Sequence, residues 1–259
     1  MKFENTEVFN FEGAFRGMRN PMNSWNKSDS NFNNVDSCMN PDPNFEYCQN
    51  CKYFDGFGRA CIPYIGSSDM KLAQNLIKAG SADRKFMRQI FVSVDITAPL
   101  YWWKEYDTYK VGTVANSTST MHKLATTPIT LECFETDDMD KHLIWRSKNE
   151  LPWSIETTFK TFVESLEDLR QAYLETKDKK YWKELIRWLP ESWLQTRTVT
   201  MNYENIYSMI RQRRNHKLNE WSGKDNPDLP NFISWVRTLP YADELLFFGL
   251  DKDKEGDKH

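Results

Sequence analysis

Apolar and polar residues alternate most clearly over positions 86–96, where Val92, Val94 and Ile96 share one side and mostly polar residues take the other. This period of two predicts a β-strand with one buried face and one polar face. A sheet with a polar face favours antiparallel pairing. A second β-rich run covers positions 196–200.

Apolar residues recur at helical spacing in several other segments. Ser67 or Ser68 caps a predicted helix that reaches Ala79 and stops at Gly80, and Ser154 caps the longest one. Further helices are predicted over 100–110, after Pro99, and over 181–188, 202–221 and 232–238. Residues 12–30 are too interrupted by glycine and proline for a long helix. The predicted fold class is α+β, an antiparallel sheet flanked by helices.

The segment 111–120 is rich in small and hydroxylated residues and has neither period, so it is predicted to be a loop. Gly112 would let the backbone approach a ligand closely, and the hydroxyl and N–H groups could hold a phosphate or a sugar. A surface loop without a ligand is the alternative.

The length of 259 residues fits one domain, predicted over 1–250, with a Cys-rich insertion at 31–63 and a disordered tail at 251–259. A net charge of −3 gives no strong field toward DNA or an anionic membrane, so neither partner is expected. The chain has no apolar run that could span a membrane and no secretory pattern near its start, which predicts a cytoplasmic protein.

Four of the five cysteines lie in that insertion, with the spacing Cys38-x9-Cys48-x2-Cys51-x9-Cys61. A central C-x2-C and an outer pair could form a tetrahedral, structural zinc site of four thiolates. Free reduced thiols are the alternative, because spacing alone does not fix the connectivity or the metal.

Arginines cluster at Arg211, Arg213 and Arg214 within about one helical turn, and guanidinium groups suit bidentate binding of phosphate. A solvated basic face is the alternative. His122 and His216 lie near these elements in the sequence, and each is either a structural histidine or a base. The sequence has no Walker loop, dinucleotide fingerprint, nucleophile elbow or H-E-x-x-H motif.

Two stretches carry motifs in a characteristic order. In one of them Leu189-Pro190 is followed by Thr200-Met201-Asn202, then by a helix with Arg213, by Asn219-Glu220 and by Pro240. This order resembles that of the flavin-dependent thymidylate synthases, in which Pro240 matches a closing proline. The stretch 96–124 resembles the strand, proline, helix and signature loop of the family. The two stretches cover about half of the chain, and similar sequences are expected in phages.

The resemblance implies transfer of a one-carbon unit from methylenetetrahydrofolate to C5 of dUMP, with FAD as the cofactor and NADPH as its reductant. It implies that Lys104, Arg187 and Arg213 bind the substrate and that Asn116, His122 and Asn202 bind the cofactor. It also implies that the hydroxyls of Ser117, Thr118 and Ser119 face the pyrimidine as catalytic groups, and that the protein is a homotetramer.

The signature itself departs from the family. Asp107-Thr108-Tyr109 stands where the family has Arg-His-Arg, and Asp107 does not replace a phosphate-binding arginine electrostatically. Three functions therefore stay open: an enzyme of this type, a non-catalytic nucleotide-binding protein on the same scaffold, and a zinc-stapled structural protein.

Overall fold

The structure is a computed structural model and describes residues 1–32, 63–145 and 153–250. The α-helices are α1 (Phe11–Arg19), α2 (Ser67–Ala79), α3 (Leu100–Tyr106), α4 (Thr120–Lys123), α5 (Ile155–Thr176), α6 (Lys179–Arg187), α7 (Tyr203–Arg213), α8 (Asn219–Ser222) and α9 (Phe232–Val236). The strands are β1 (Lys2–Phe9), β2 (Phe91–Pro99), β3 (Val114–Ser117), β4 (Ile144–Trp145), β5 (Trp153–Ser154) and β6 (Leu194–Asn202).

The larger sheet has the strand order β1-β2-β6-β3, and β4 pairs with β5 in a separate antiparallel ribbon. In β2 the side chains of Val92, Val94, Ile96 and Ala98 are buried and those between them are half-buried. This alternation confirms the predicted strand faces, because successive side chains of a strand point to opposite sides of the sheet. The α+β class with an antiparallel sheet and flanking helices is also confirmed.

The chain divides into two compact units. We call residues 1–3, 95–108 and 115–198 the first unit, and residues 4–94, 109–114 and 199–259 the second unit, and we describe each within the ranges given above.

The first unit has an aliphatic core between α5, α6 and the segment after α4. Leu124, Ile129, Val163, Leu166 and Leu185 are buried together there. The apolar stripe of α5 supplies two of these side chains, and Ser154 caps the helix as predicted by accepting a hydrogen bond from Thr157 N. Elsewhere in this unit α3 buries Trp102, Trp103 and Tyr106.

The second unit has an aromatic core around α1. The Phe11 ring lies edge-on to the rings of Tyr203 and Tyr241, each at a centroid distance of 5.8 Å. A buried ion pair joins Arg19 of α1 to Asp69 of α2, with Nε and Oδ1 separated by 2.5 Å. Asp69 also accepts hydrogen bonds from two serine hydroxyls, so its buried charge is compensated.

Several predicted boundaries were wrong. Lys85–Gln89 is a 3-10 turn, because Phe86 and Met87 are both buried and a strand would place them on opposite faces. The segment assigned to a loop contains β3, which needs no alternation because all of its residues are exposed at the end of the sheet. The helix expected over 202–221 ends at Arg213, and α8 begins only at Asn219.

Candidate functional site

Strand β6 places Gln195 and Arg197 beside the signature position in the first unit. Nη1 of Arg197 lies 2.8 Å from Oδ1 of Asp107, and its Nε donates to Oε1 of Gln195 at 3.0 Å. The guanidinium carbon lies 4.2 Å from the centroid of the Trp103 ring. The carboxylate of Asp107, at the end of α3, is therefore balanced by a guanidinium that β6 supplies.

The same strand fixes the hydroxyl-rich segment. Nε2 of Gln195 donates to the carbonyl of Thr118 at 3.0 Å and to the hydroxyl of Thr120 at 3.3 Å. The backbone N–H of Thr118 donates to the carbonyl of Thr196 at 2.9 Å. Gln195 therefore connects Arg197 to the segment that carries the hydroxyls predicted to be catalytic.

The predicted catalytic hydroxyls are accessible. Ser117 and Thr118 are exposed, and their hydroxyls make no hydrogen bond within residues 1–32, 63–145 and 153–250, whereas Ser119 is half-buried. Asn116, predicted to bind the cofactor, is exposed on β3. His122 lies in α4, and its side chain falls outside the described part of the chain. The catalytic and cofactor roles of these residues stay predictions.

In the second unit, Arg213 ends α7 within a cluster of aromatic rings. Its Nε donates to the hydroxyl of Tyr109 at 2.9 Å, and that hydroxyl donates to Oε1 of Gln212 at 2.9 Å. The guanidinium carbon lies 5.3 Å from the centroid of the buried Trp221 ring and 5.6 Å from that of Tyr109. Cation–π contacts of this kind restrict the orientation of a guanidinium, which suits the binding of an anion.

Asn202 lies at the opposite end of α7 and has a structural role. Its side chain accepts a hydrogen bond from Asn205 N while the side chain of Asn205 accepts one from Asn202 N, which forms a capping box. Nδ2 of Asn202 has no hydrogen-bond partner among the residues that the structure describes. A ligand contact through this amide, as predicted, is compatible with the capping role.

Gly112 approaches protein side chains at the position where sequence analysis placed a ligand. It has a φ of +78°, and a Cβ there would lie 3.2 Å from Nδ2 of Asn202 and 3.3 Å from Oδ1 of Asn205. Nδ2 of Asn205 also donates to the carbonyl of Val111. Gly112 therefore packs against the capping box, and the ligand interpretation of its loop stays a prediction.

The two other predicted substrate cations each pair with a carboxylate at the surface of the first unit. Nζ of Lys104 lies 2.5 Å from Oε1 of Glu191, and both side chains are more than half exposed. Arg187 pairs with Glu184 within α6 and is also exposed. Exposed ion pairs contribute little free energy, so either cation can exchange its carboxylate for another anion.

Cys38, Cys48, Cys51 and Cys61 lie outside the described residues, so the zinc site stays a prediction. Across the described ranges, no group of three or more histidine, cysteine and acidic side chains could hold a metal ion. In the same ranges no helix is both long and apolar enough to span a membrane.

Solved structures identify the fold. The flavin-dependent thymidylate synthase ThyX from Helicobacter pylori, complexed with FAD and dUMP, superposes with a TM-score of 0.57 at 16% identity and covers 96% of this chain and 98% of its own. The chain has the ThyX fold. A second structure of the same enzyme with FAD and dUMP gives the same score and identity over 98% of this chain and 100% of its own. No protein-family model and no curated protein matches the sequence.

The sequence patterns did not single out Gln195 or Arg197 and assigned no contact to Tyr109. Part of the signal was present, because Gln195 and Arg197 are two positions apart and so share one face of a strand. The predicted strand began at Thr196, and this left Gln195 outside it. The contact with Asp107 joins residues far apart in the sequence and has no local signature.

Proposed function

We propose that this protein is a ThyX-like enzyme that binds dUMP and transfers a one-carbon unit to C5 of its pyrimidine. The observation that carries the proposal is the placement of Arg213 by Tyr109 and Trp221, within a fold shared with an enzyme solved with dUMP and FAD. In this proposal Arg213 binds the phosphate of the nucleotide, because guanidinium–phosphate hydrogen bonds are among the strongest that proteins make.

The hydroxyl-rich segment around Thr118 contributes separately to the proposal. Gln195 holds the backbone at Thr118, so the hydroxyls of Ser117 and Thr118 stay exposed on a fixed support. Hydroxyls held in this way suit hydrogen bonds to the polar edge of a pyrimidine ring. Methylenetetrahydrofolate is the one-carbon donor in this proposal, and NADPH is the reductant.

The Asp107–Arg197 pair of the first unit fits the uncharged ring of FAD but not its phosphate groups. Asp107 and Arg197 together carry no net charge, so they do not favour a phosphate group, but they offer a hydrogen-bond acceptor beside a donor to an uncharged ring. A bound reduced flavin would supply the hydride that converts the transferred carbon into a methyl group.

The first test measures how far the affinity for dUMP depends on Arg213. We expect Arg213→Met to weaken dUMP binding by roughly tenfold to a hundredfold in calorimetric titration, because a hydrogen-bonded charge pair is lost. Arg211→Met is the matched control, because Arg211 lies on the same helix and donates to the hydroxyl of Tyr207. Equal affinities for wild-type protein and Arg213→Met would contradict the assignment of Arg213.

Catalysis is a separate measurement. Wild-type protein incubated with dUMP, methylenetetrahydrofolate, FAD and NADPH should release a product that carries one additional carbon, which mass spectrometry detects. Tight dUMP binding without product would favour a second candidate, a non-catalytic nucleotide-binding protein. The carboxylate of Asp107 at the signature position is the observation that supports this second candidate.

A further inference from the structure

The ion pair between Asp107 and Arg197 has hydrogen-bonding capacity that the protein leaves unused. Arg197 donates through Nη1 to Asp107 and through Nε to Gln195, and Asp107 accepts through Oδ1. Nη2 of Arg197 and Oδ2 of Asp107 have no hydrogen-bond partner anywhere in the described ranges. The Asp107 side chain is 45% exposed, so a ligand can reach the pair.

The pair is also held rigidly. Arg197 is 16% exposed and stacks on Trp103, whose Nε1 donates to the carbonyl of Gln195 at 2.9 Å. Gln195 in turn binds both Arg197 and the Thr118 carbonyl. A donor and an acceptor fixed in this way need little ordering when a ligand binds, which favours affinity.

Charge limits the class of ligand that fits. A phosphate would gain from Arg197 and be repelled by Asp107, so the pair discriminates against anions. A donor beside an acceptor instead matches an uncharged ring that presents a carbonyl next to an N–H. We propose that Asp107 and Arg197 bind the imide edge of such a ring: Oδ2 accepts from the ring N–H, and Nη2 donates to the neighbouring carbonyl.

Two ring systems in the proposed function carry this edge, the uracil base and the flavin, so the inference rests on that function for its choice of probes. Deoxyuridine and riboflavin both lack phosphate, so any contribution from Arg213 to phosphate binding is absent from the measurement. Their N3-methyl derivatives keep the ring and remove the N–H, and therefore test the hydrogen bond to Asp107 directly.

We expect wild-type protein to bind at least one of the two probes roughly tenfold more tightly than its N3-methyl derivative. Riboflavin binding is followed by fluorescence quenching and deoxyuridine binding by calorimetry. Discrimination for riboflavin alone would assign the pair to the flavin, and discrimination for deoxyuridine alone would assign it to the nucleobase. Binding of both probes without discrimination, or of neither, would overturn the inference.

Variants then connect the effect to the pair. Asp107→Leu should abolish discrimination against the N3-methyl probe, because the acceptor is removed. Arg197→Met should reduce it, because Asp107 loses the partner that orients its carboxylate. Asp107→Asn should retain part of it, because an amide oxygen still accepts. Arg237→Met is the matched control, since Arg237 also pairs with an aspartate, Asp243, and stacks on a ring, that of Phe247. Melting temperatures identify any variant that is simply unfolded. Full discrimination in both Arg197→Met and Asp107→Leu would refute the inference.

The test of this imide site and the test of the proposed function can give different results. Arg213→Met should leave N3-methyl discrimination unchanged for these phosphate-free probes. If dUMP binding depends on Arg213 and no discrimination is found, the proposed function survives and this inference fails. The reverse result would retain the imide site and remove Arg213 from nucleotide binding.

Discussion

At the scale of single residues, the contacts of Asp107 and Tyr109 bear on the predicted resemblance to the signature. The resemblance places arginines at these positions, and the chain has an acid and a phenol. In the structure each contacts an arginine from elsewhere: Asp107 binds Arg197 of β6, and Tyr109 binds Arg213 of α7. The guanidinium groups are therefore present beside both positions, although other elements carry them.

A substitution at Tyr109 tests the contact between Tyr109 and Arg213. Its hydroxyl is the acceptor for Nε of Arg213, so Tyr109→Phe removes this hydrogen bond and keeps the ring beside the guanidinium. We expect dUMP affinity to fall by about threefold to tenfold, less than in Arg213→Met, because Arg213 loses orientation and keeps its charge. Calorimetric titration measures the change. A loss as large as that in Arg213→Met would mean that Tyr109 contacts the nucleotide itself.

At the scale of elements, Asn202 combines a capping role with a predicted cofactor role, and the two can be separated. Asn202→Ala should destabilise the protein by about 1 kcal/mol in chemical denaturation, because α7 loses its capping box. Asn231 forms an equivalent capping box with Ser234 at α9. We therefore expect Asn231→Ala to cause a similar loss of stability, with FAD binding reduced only in Asn202→Ala. Unchanged FAD binding in both variants would leave Asn202 a cap alone.

Helix α5 carries the charge network with the clearest effect of pH. Arg170, as a hydrogen-bond partner, holds the pKa of Glu167 at about 2, below its usual 4.5, against the effect of burial and with further help from the Ile129 N–H. Arg170 also donates to the carbonyl of Ala125, so the pair attaches α5 to the chain that follows α4. The network therefore stabilises the first unit as long as Glu167 is ionised.

Because the folded pKa is below the unfolded one, the stabilisation is present above about pH 4.5 and is lost as the pH falls toward 2. Glu167→Gln should cost roughly 2 kcal/mol at neutral pH, and the gap to wild type should narrow through this window. Denaturant titrations at several pH values measure it. Glu164→Gln on the same helix is the control, since Glu164 is exposed and forms no ion pair within the described residues. A gap that is independent of pH would show that the charge is not responsible.

The elements that sequence analysis located are those that their local pattern determines. The cap at Ser154, the start of a helix at Asn202, the stop at Gly80 and the alternation in β2 all depend on neighbouring residues, and all are present in the structure. Strand β3 was missed, since an exposed edge strand buries no face and needs no alternation. The Asp107–Arg197 and Tyr109–Arg213 contacts were also missed, because they depend on how distant strands and helices pack.

At the scale of the whole molecule, the predicted homotetramer is the remaining test of the resemblance. Strand β3 is last in the order of its sheet, and all of its residues are exposed. Val111 and Val114 are 89% and 67% exposed, which is unusual for neighbouring apolar residues. Among the described residues β3 has no partner strand on its outer edge. An open strand edge with apolar neighbours is a site where another chain can bind, so we expect this surface to be covered in an assembly.

Light scattering coupled to gel filtration should therefore give four times the chain mass of 30.7 kDa. Val114→Lys should shift the population toward smaller species, because a charge placed on an apolar contact must lose its hydration when the contact forms. Lys110→Glu is a suitable control, since Lys110 is exposed in the same segment but adds no apolar surface. A wild-type monomer would count against the proposed enzyme, since the resemblance implies sites built at subunit junctions. A tetramer that Val114→Lys leaves intact would keep the assembly and place its contacts away from Val114.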